Sequence, residues 1–192
     1  MIVFIDFEAT SLGRHGVPIE VGWVAEDGVG EGCLIRPAPG WTDWSDEAAA
    51  VHGITREDLE RDGEDHAEVA RRLLVSVGDQ PVYASAPSWD GQWLSRLLRA
   101  AGLPRHALRL RHVSEARAEA ALAGLAAAGI APELRGDLAV GIVAEVLRRV
   151  EAEGPPRHRA LDDARRELLI WQEIGRAAAL VASDGGRAIV AP

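Results

Sequence analysis

The chain has 192 residues and a formal charge of −9, with 30 Asp and Glu against 21 basic side chains. Its 47% apolar and 27% charged content describes a globular domain with a real core and excludes a disordered acidic tail. There is no lysine, which removes the GK[ST] phosphate loop and Schiff-base chemistry, and the single Cys33 removes a disulfide framework and a cysteine metal cluster.

The first predicted element is a strand over 2–5. The run from Met1 to Ile5 is short, apolar and without alternation, the pattern of a central buried strand. Ile5-Asp6-Phe7-Glu8-Ala9-Thr10 then sets two carboxylates two positions apart. In extended chain Asp6 and Glu8 project to one face, and Ile5 and Phe7 to the other. Two acids about 4 Å apart repel by a few kcal/mol at an effective dielectric of about 20. Such a pair calls for a cation between the acids or a proton on one of them, unless the strand ends at Asp6 and both are solvated.

A turn over 13–18 leads to strands over 19–25 and 32–36, joined as a meander at Glu26-Asp27-Gly28. Residues 46–51 form a short helix stopped at His52-Gly53, and Thr55-Arg56-Glu57-Asp58 opens the next turn with a capping-box pattern. Helices are predicted over 66–75, 90–101, 113–128, 137–152 and 159–179, with short strands over 81–85 and 107–110. Three strands followed by alternating helices and strands give an α/β fold: a mixed sheet, antiparallel at one edge and flanked by helices. We expect one domain over 1–180 and a short tail over 181–192.

Two further segments put an acid at a structural corner. Asp90 follows Ser88-Trp89 at the start of a helix, where an Asp is also a routine N-cap. His158 follows Gly154-Pro155-Pro156 at the mouth of the last helix, with Asp163 about one and a half turns inside it. Alone, those two read as a helix-start histidine and an acid compensating the helix dipole.

Together the segments form an ordered set: acid-x-acid on the first strand, an acid after a Trp, and His-x-x-x-x-Asp at the last helix. This set resembles the DEDDh 3′–5′ exonuclease family, which has a ribonuclease H-like fold and includes proofreading subunits and oligoribonuclease. The matching residues are Asp6 and Glu8 in IDFEATSL, Asp90 in SWDGQWL, and His158 and Asp163 in HRALDDA. Pro18-Ile19-Glu20-Val21-Gly22 and Ala50-Val51-His52-Gly53-Ile54-Thr55 are similar to the family's second strand and connecting segment, so the resemblance covers residues 1–175. It departs before the third acid, where Ala84-Ser85-Ala86-Pro87-Ser88-Trp89-Asp90 stands in place of a His-Asn-Ala-x-Phe-Asp arrangement.

The resemblance implies a single-strand 3′–5′ exonuclease, acting on the 3′ ends of DNA or RNA and releasing nucleoside monophosphates. Phosphodiester hydrolysis needs a nucleophilic hydroxide and stabilisation of charge on the transition state and leaving oxygen, which two divalent ions supply. Oxygen ligands select Mg²⁺ or Mn²⁺ over zinc. Asp6 is the natural bridging ligand, with Glu8, Asp90 and Asp163 completing the two shells. His158 is the general base, histidine being the side chain whose ordinary range spans neutrality.

Thr10 and Ser11 follow the acids, so their backbone amides are expected at the terminal nucleotide, with a simple turn as the plain alternative. His52 either caps its helix or touches substrate. Trp89 either stacks on a base or, like Trp93, packs in the core. Trp41 and Trp44 read as a partly exposed contact loop, and Asp162, about 100° around the helix from Asp163, as solvated. Two rivals remain: a non-catalytic binding module on the same fold, and a ribonuclease H-like endonuclease built on carboxylates alone. With no basic n-region and no uncharged stretch long enough for a bilayer, we expect a cytoplasmic protein without a membrane partner, and leave a homodimer open.

Overall fold

The structure, a computed structural model, describes residues 1–152 and 154–181. Beyond Val181, the tail expected over 181–192 lies outside the described residues. The chain divides into two compact units: Met1–Val113 with Pro156–Leu168, and Ser114–Pro155 with Leu169–Pro192. Among the described residues no helix is long and apolar enough to cross a membrane.

The first unit is built on six strands, β1 (Val3–Ala9), β2 (Pro18–Ala25), β3 (Gly30–Arg36), β4 (Glu64–Asp65), β5 (Val82–Ala84) and β6 (Leu110–His112), in the order β4-β3-β2-β1-β5-β6. β1, β2 and β3 pair antiparallel, while β5 runs parallel to both β1 and β6, so the sheet is mixed as the element order predicts. β1 is longer than the apolar run alone indicates. Its ladder with β2 continues through Asp6↔Gly22 and Glu8↔Glu20 and shifts register only between Glu8 and Ala9, so both acids sit on regular strand.

Alternation along β1 decides what each face does. Val3, Ile5 and Phe7 enter the main core together with Val69, Leu73 and Val77 of α3 (His66–Val77) and Trp93, Leu94 and Leu97 of α4 (Pro87–Ala100). Burying this layer is the main stabilising term of the unit, since each such side chain contributes about 1.5–3 kcal/mol on leaving water. A smaller cluster of Ile19, Ile54 and Leu59 sits under α1 (Asp46–His52) and α2 (Arg56–Asp62). α1 stops at Gly53, whose φ of 70° is a left-handed C-cap, and α2 begins with the expected capping box between Thr55 and Asp58.

α7 (Ala160–Leu180) reaches the sheet where side chains are missing. Gly22 pairs with Asp6 on one side and with Gly32 on the other, so two glycines continue one line across the strands. A Cβ on Gly22 would lie 2.1 Å from the Leu161 backbone nitrogen, and one on Gly32 would lie 2.9 Å from the Leu161 Cβ. The first turn of α7 therefore lies against bare β-strand backbone beside Asp6.

In the second unit, α5 (Val113–Ala127), α6 (Pro132–Ala152) and the part of α7 after Leu168 share a core of Ala121, Leu125, Ala139, Val146, Ile170, Ile174 and Ala178.

Candidate active site

All five residues singled out from the motifs belong to the first unit. Glu8, His158 and Asp163 each offer one ligand atom within a group spanning 4.8 Å. Asp6 is close enough to Asp90, Glu8, Asp163 and Glu167 for each of these carboxylates to act on it electrostatically.

Asp90 is not the N-cap that its position before the helix pattern predicts. α4 starts at Pro87 with Ala86 as N-cap, which places Asp90 in the first turn and buries it to 2%. Pro at the first helical position explains the earlier start, because its fixed φ suits the helix and its missing N–H would have had no partner there. Asp90 Oδ2 accepts from the Ala86 amide at 3.2 Å, a backward reach that closes the helix start and turns the carboxyl toward β1.

The approach to α7 is held from two directions. The Arg157 amide donates to Asp163 Oδ1 at 3.1 Å. Glu20 of β2 accepts from the Ala160 amide at 2.9 Å and from Arg159 Nε and Nη2, the shortest contact being 2.6 Å. His158, between these anchors, has φ of 54°, in the left-handed region that a side-chain-bearing residue rarely adopts. A backbone of that kind costs about 1–3 kcal/mol and persists where the surroundings enforce it.

The electrostatics follow from clustering acids in a desolvated corner. Burial first, and then the Asp90, Glu8, Asp163 and Glu167 carboxylates, push Asp6 up to about 9. Burial, Asp163 and Glu20 push Glu8 up to about 8, with Arg159 opposing. Burial raises Asp90 to about 7 against hydrogen bonds from the backbones of Ala86 and Phe7. Oxygen donors that repel one another and hold protons in place of a counter-charge fit hard divalent cations. Asp6, Glu8, Asp90 and Asp163 would hold them.

The remaining residues divide. The Thr10 amide donates to the Val17 carbonyl at 2.9 Å, so the expectation that this amide faces a terminal nucleotide is corrected: the turn uses it internally. The Thr10 and Ser11 hydroxyls both donate to Asp43 Oδ2 at 2.7 Å. His52 holds the end of its helix. Its Nδ1 accepts from the Ile54 amide at 3.0 Å and secures the helix end, while its buried Nε2 has no hydrogen-bond partner among the described residues. Burial first holds its imidazole below the ordinary range, with Arg159 and His158 adding and Glu20 and the Ala9 backbone opposing. Trp89 is 36% exposed and stacks on buried Trp93 with ring centres 6.1 Å apart. Trp44 packs against the Ile19 cluster under the guanidinium of Arg56, and half-buried Asp162 lies 3.6 Å from Arg157.

Two residues of this corner lie outside the motif reading. Glu167 sits four residues after Asp163 on α7, the spacing that puts two side chains on one helix face, and that spacing is its signal in the sequence. Glu20 is inside the PIEVG segment, but its partner is 139 residues away and only the fold reveals the pairing.

No family model and no curated protein matches the chain. Solved structures do. A complex of E. coli exonuclease I with single-stranded DNA, in its metal-free form, matches with a TM-score of 0.51 and 15% identity over 62% of this chain and 30% of that one. E. coli exonuclease I with a dA16 oligonucleotide gives 0.50 and 17% over 62% and 29%. A moderately thermophilic exonuclease I from Methylocaldum szegediense gives 0.53 and 16% over 63% and 29%. The matched region is thus under a third of the length of those chains. At such identities the likeness is one of fold: the mixed α/β fold expected from the element order, and the ribonuclease H-like one that the family resemblance implies.

Proposed function

We propose that the chain is a metal-dependent 3′–5′ exonuclease that shortens single-stranded DNA or RNA by one nucleoside monophosphate at a time. The observation that carries this reading is the convergence of Asp6, Glu8, Asp90, Asp163 and His158 on one end of β1, with Glu8, His158 and Asp163 grouped within 4.8 Å. The fold shared with exonuclease I, of which solved complexes with single-stranded DNA exist, supports it.

Two Mg²⁺ or Mn²⁺ ions, when bound, neutralise the carboxylates and stabilise charge at phosphorus. Asp6, Glu8, Asp90 and Asp163 would hold them, and Glu20 with Arg159 keeps the start of α7 in register with β1. His158 accepts a proton from the attacking water on an imidazole nitrogen. The water oxygen bonds to phosphorus and the P–O3′ bond breaks; the leaving 3′-oxygen takes a proton from solvent, so the shortened strand carries a 3′-hydroxyl and the released nucleotide keeps the phosphate. Trp89 offers a ring face to the terminal base. His52 and the backbone of Ser11 orient the last nucleotide, whereas Thr10 acts by bracing the turn through Val17 and Asp43.

The test is digestion of 5′-labelled DNA and RNA oligonucleotides with Mg²⁺ or Mn²⁺. A ladder shortening from the 3′ end, release of mononucleotides and blockage by a 3′-phosphate are expected. Cutting of a closed circular single strand at a comparable rate would overturn the reading in favour of an endonuclease.

A further inference from the structure

On this acidic chain, positive charge gathers without acid beside α4. The outer face of α4 and the segment after it line a cleft of about 640 Å³ holding Arg96, Arg99, Arg105, His106 and Arg109 and no Asp or Glu. Ser88, two residues before Asp90, lines the cleft at the N-terminal end of α4.

Arg99, Arg105 and Arg109 carry no carboxylate partner among the described residues, and Arg96 acts on Asp43 only through its charge. Arg96 donates to the Arg14 carbonyl and Arg99 to the Ser95 carbonyl, both neutral acceptors. Among the described residues none of the four arginines pairs with a carboxylate, whereas Arg61 is held by Asp58 and Asp62, Arg71 by Glu68 and Arg148 by Glu145. A second cavity, of about 770 Å³, shares Arg96 and Arg99 but also contains Asp43. Desolvation opposes ionisation of Asp43, yet hydrogen bonds from Ser11 and Thr10 and the charges of His15 and Arg96 hold it below its ordinary value. Part of the positive charge there is thus taken up by Asp43, whereas the cleft beside α4 has no acid in its lining.

The shape suits a strand. Ser88 and Arg99 are separated along α4 by about 16 Å at the helical rise, the length of about five stacked nucleotides at ~3.4 Å each. Guanidinium groups bind phosphate oxygens in pairs, and phosphate neutralisation releases counterions. We propose that this cleft holds the phosphate backbone of single-stranded nucleic acid on the 5′ side of the end that enters the carboxylate site. Strands of several nucleotides then bind better than a trinucleotide. The strand direction rests on the nuclease reading above; the cleft's affinity for the strand does not.

The test compares the wild type, in EDTA, with Arg99→Gln/Arg105→Gln/Arg109→Gln and with the corresponding lysine variant. For a fluorescein-labelled oligothymidylate of about 20 nucleotides, the glutamine variant should bind roughly tenfold more weakly at about 50 mM salt, with a salt slope shallower by about 2. Trinucleotide binding should change less than about twofold, because only the end site is then occupied. The lysine variant should recover most of the affinity, since charge alone attracts phosphate. Wild-type affinity and slope in the glutamine variant, equal losses for long and short strands, or no binding of the long strand by the wild type would each overturn the proposal. Polyglutamate that displaces the strand as well as unlabelled oligothymidylate would also overturn it, by assigning the cleft to acidic chains at large. If the nuclease reading alone is wrong, the binding contrast stands while the wild type cuts neither length with Mg²⁺ or Mn²⁺.

Discussion

Glu8 and Glu20 face each other across the β1–β2 ladder, and Glu20 is the one saturated by Arg159 and the Ala160 amide. Like charges opposed on a ladder destabilise it unless something compensates. Here the compensation goes to one side, so Glu20 anchors the last helix while Glu8 keeps its demand for a cation. Glu20→Ala leaves the buried Ala160 amide without its acceptor and should cost about 1–3 kcal/mol in urea unfolding. It should also lower kcat by releasing the segment around His158. Glu20→Gln, which keeps an acceptor oxygen, should recover most of the stability. An alanine variant as stable as wild type would show that the start of α7 is held by other contacts.

Without metal, the protein should lose stability as pH rises. Asp6, Glu8 and Asp90 have raised values, about 9, 8 and 7, so the folded state holds protons that the unfolded chain has already released. A folded pKa above the unfolded one stabilises fully below the unfolded value, near 4, and the gain is lost as pH climbs through the folded values. Melting temperature in EDTA should therefore fall steadily from about pH 5 to pH 9. Added Mg²⁺ should flatten that fall by taking the place of the protons. A flat profile in EDTA would mean that the carboxylates are already compensated.

Asp6→Ala should abolish hydrolysis and weaken Mn²⁺ binding. Because burial first and then four neighbouring carboxylates disfavour the Asp6 charge, the substitution should leave metal-free stability nearly unchanged, the relief of that cost offsetting the lost side chain. Full activity with an unaltered metal titration would remove Asp6 from the binding set.

His158→Ala should lower kcat by about 10²–10⁴-fold, the usual contribution of a general base. Metal affinity should stay close to wild type, because no carboxylate ligand is lost. A near wild-type rate would return His158 to a helix-start residue.

Much of this corner was legible in the sequence because its parts are local. The apolar run of β1, the Asp6-x-Glu8 alternation, the Thr55 capping box and the stop at Gly53 each depend on neighbours within a few residues. What was misjudged depended on distant partners or on one local cue. β1 runs on to Ala9 because β2 pairs with it that far, and β6 lies at Leu110–His112 because β5 sets its register. The two-residue β4 has no pattern of its own. α4 and α6 both begin at a proline, Pro87 and Pro132, earlier than the charge pattern suggested, and Pro at N1 is the cue that would have placed Asp90 inside its helix. The Thr10 amide's commitment to Val17 is a property of the closed turn and is invisible in the letters.

The line from Asp6 through Gly22 to Gly32 makes the spacing of the carboxylates a matter of main chain alone. Side chains repack and change rotamer, but two backbones in contact have no slack of that kind. The separation between Asp6 and Asp163 is thus set by a gauge with no moving parts, and a single methyl group at position 22 is enough to miscalibrate it. The same gauge fixes where length changes are tolerated. Added residues in the loop before Arg157 leave the contact at Leu161 untouched, whereas one residue added between Leu161 and Asp163 turns the acid about 100° around its helix.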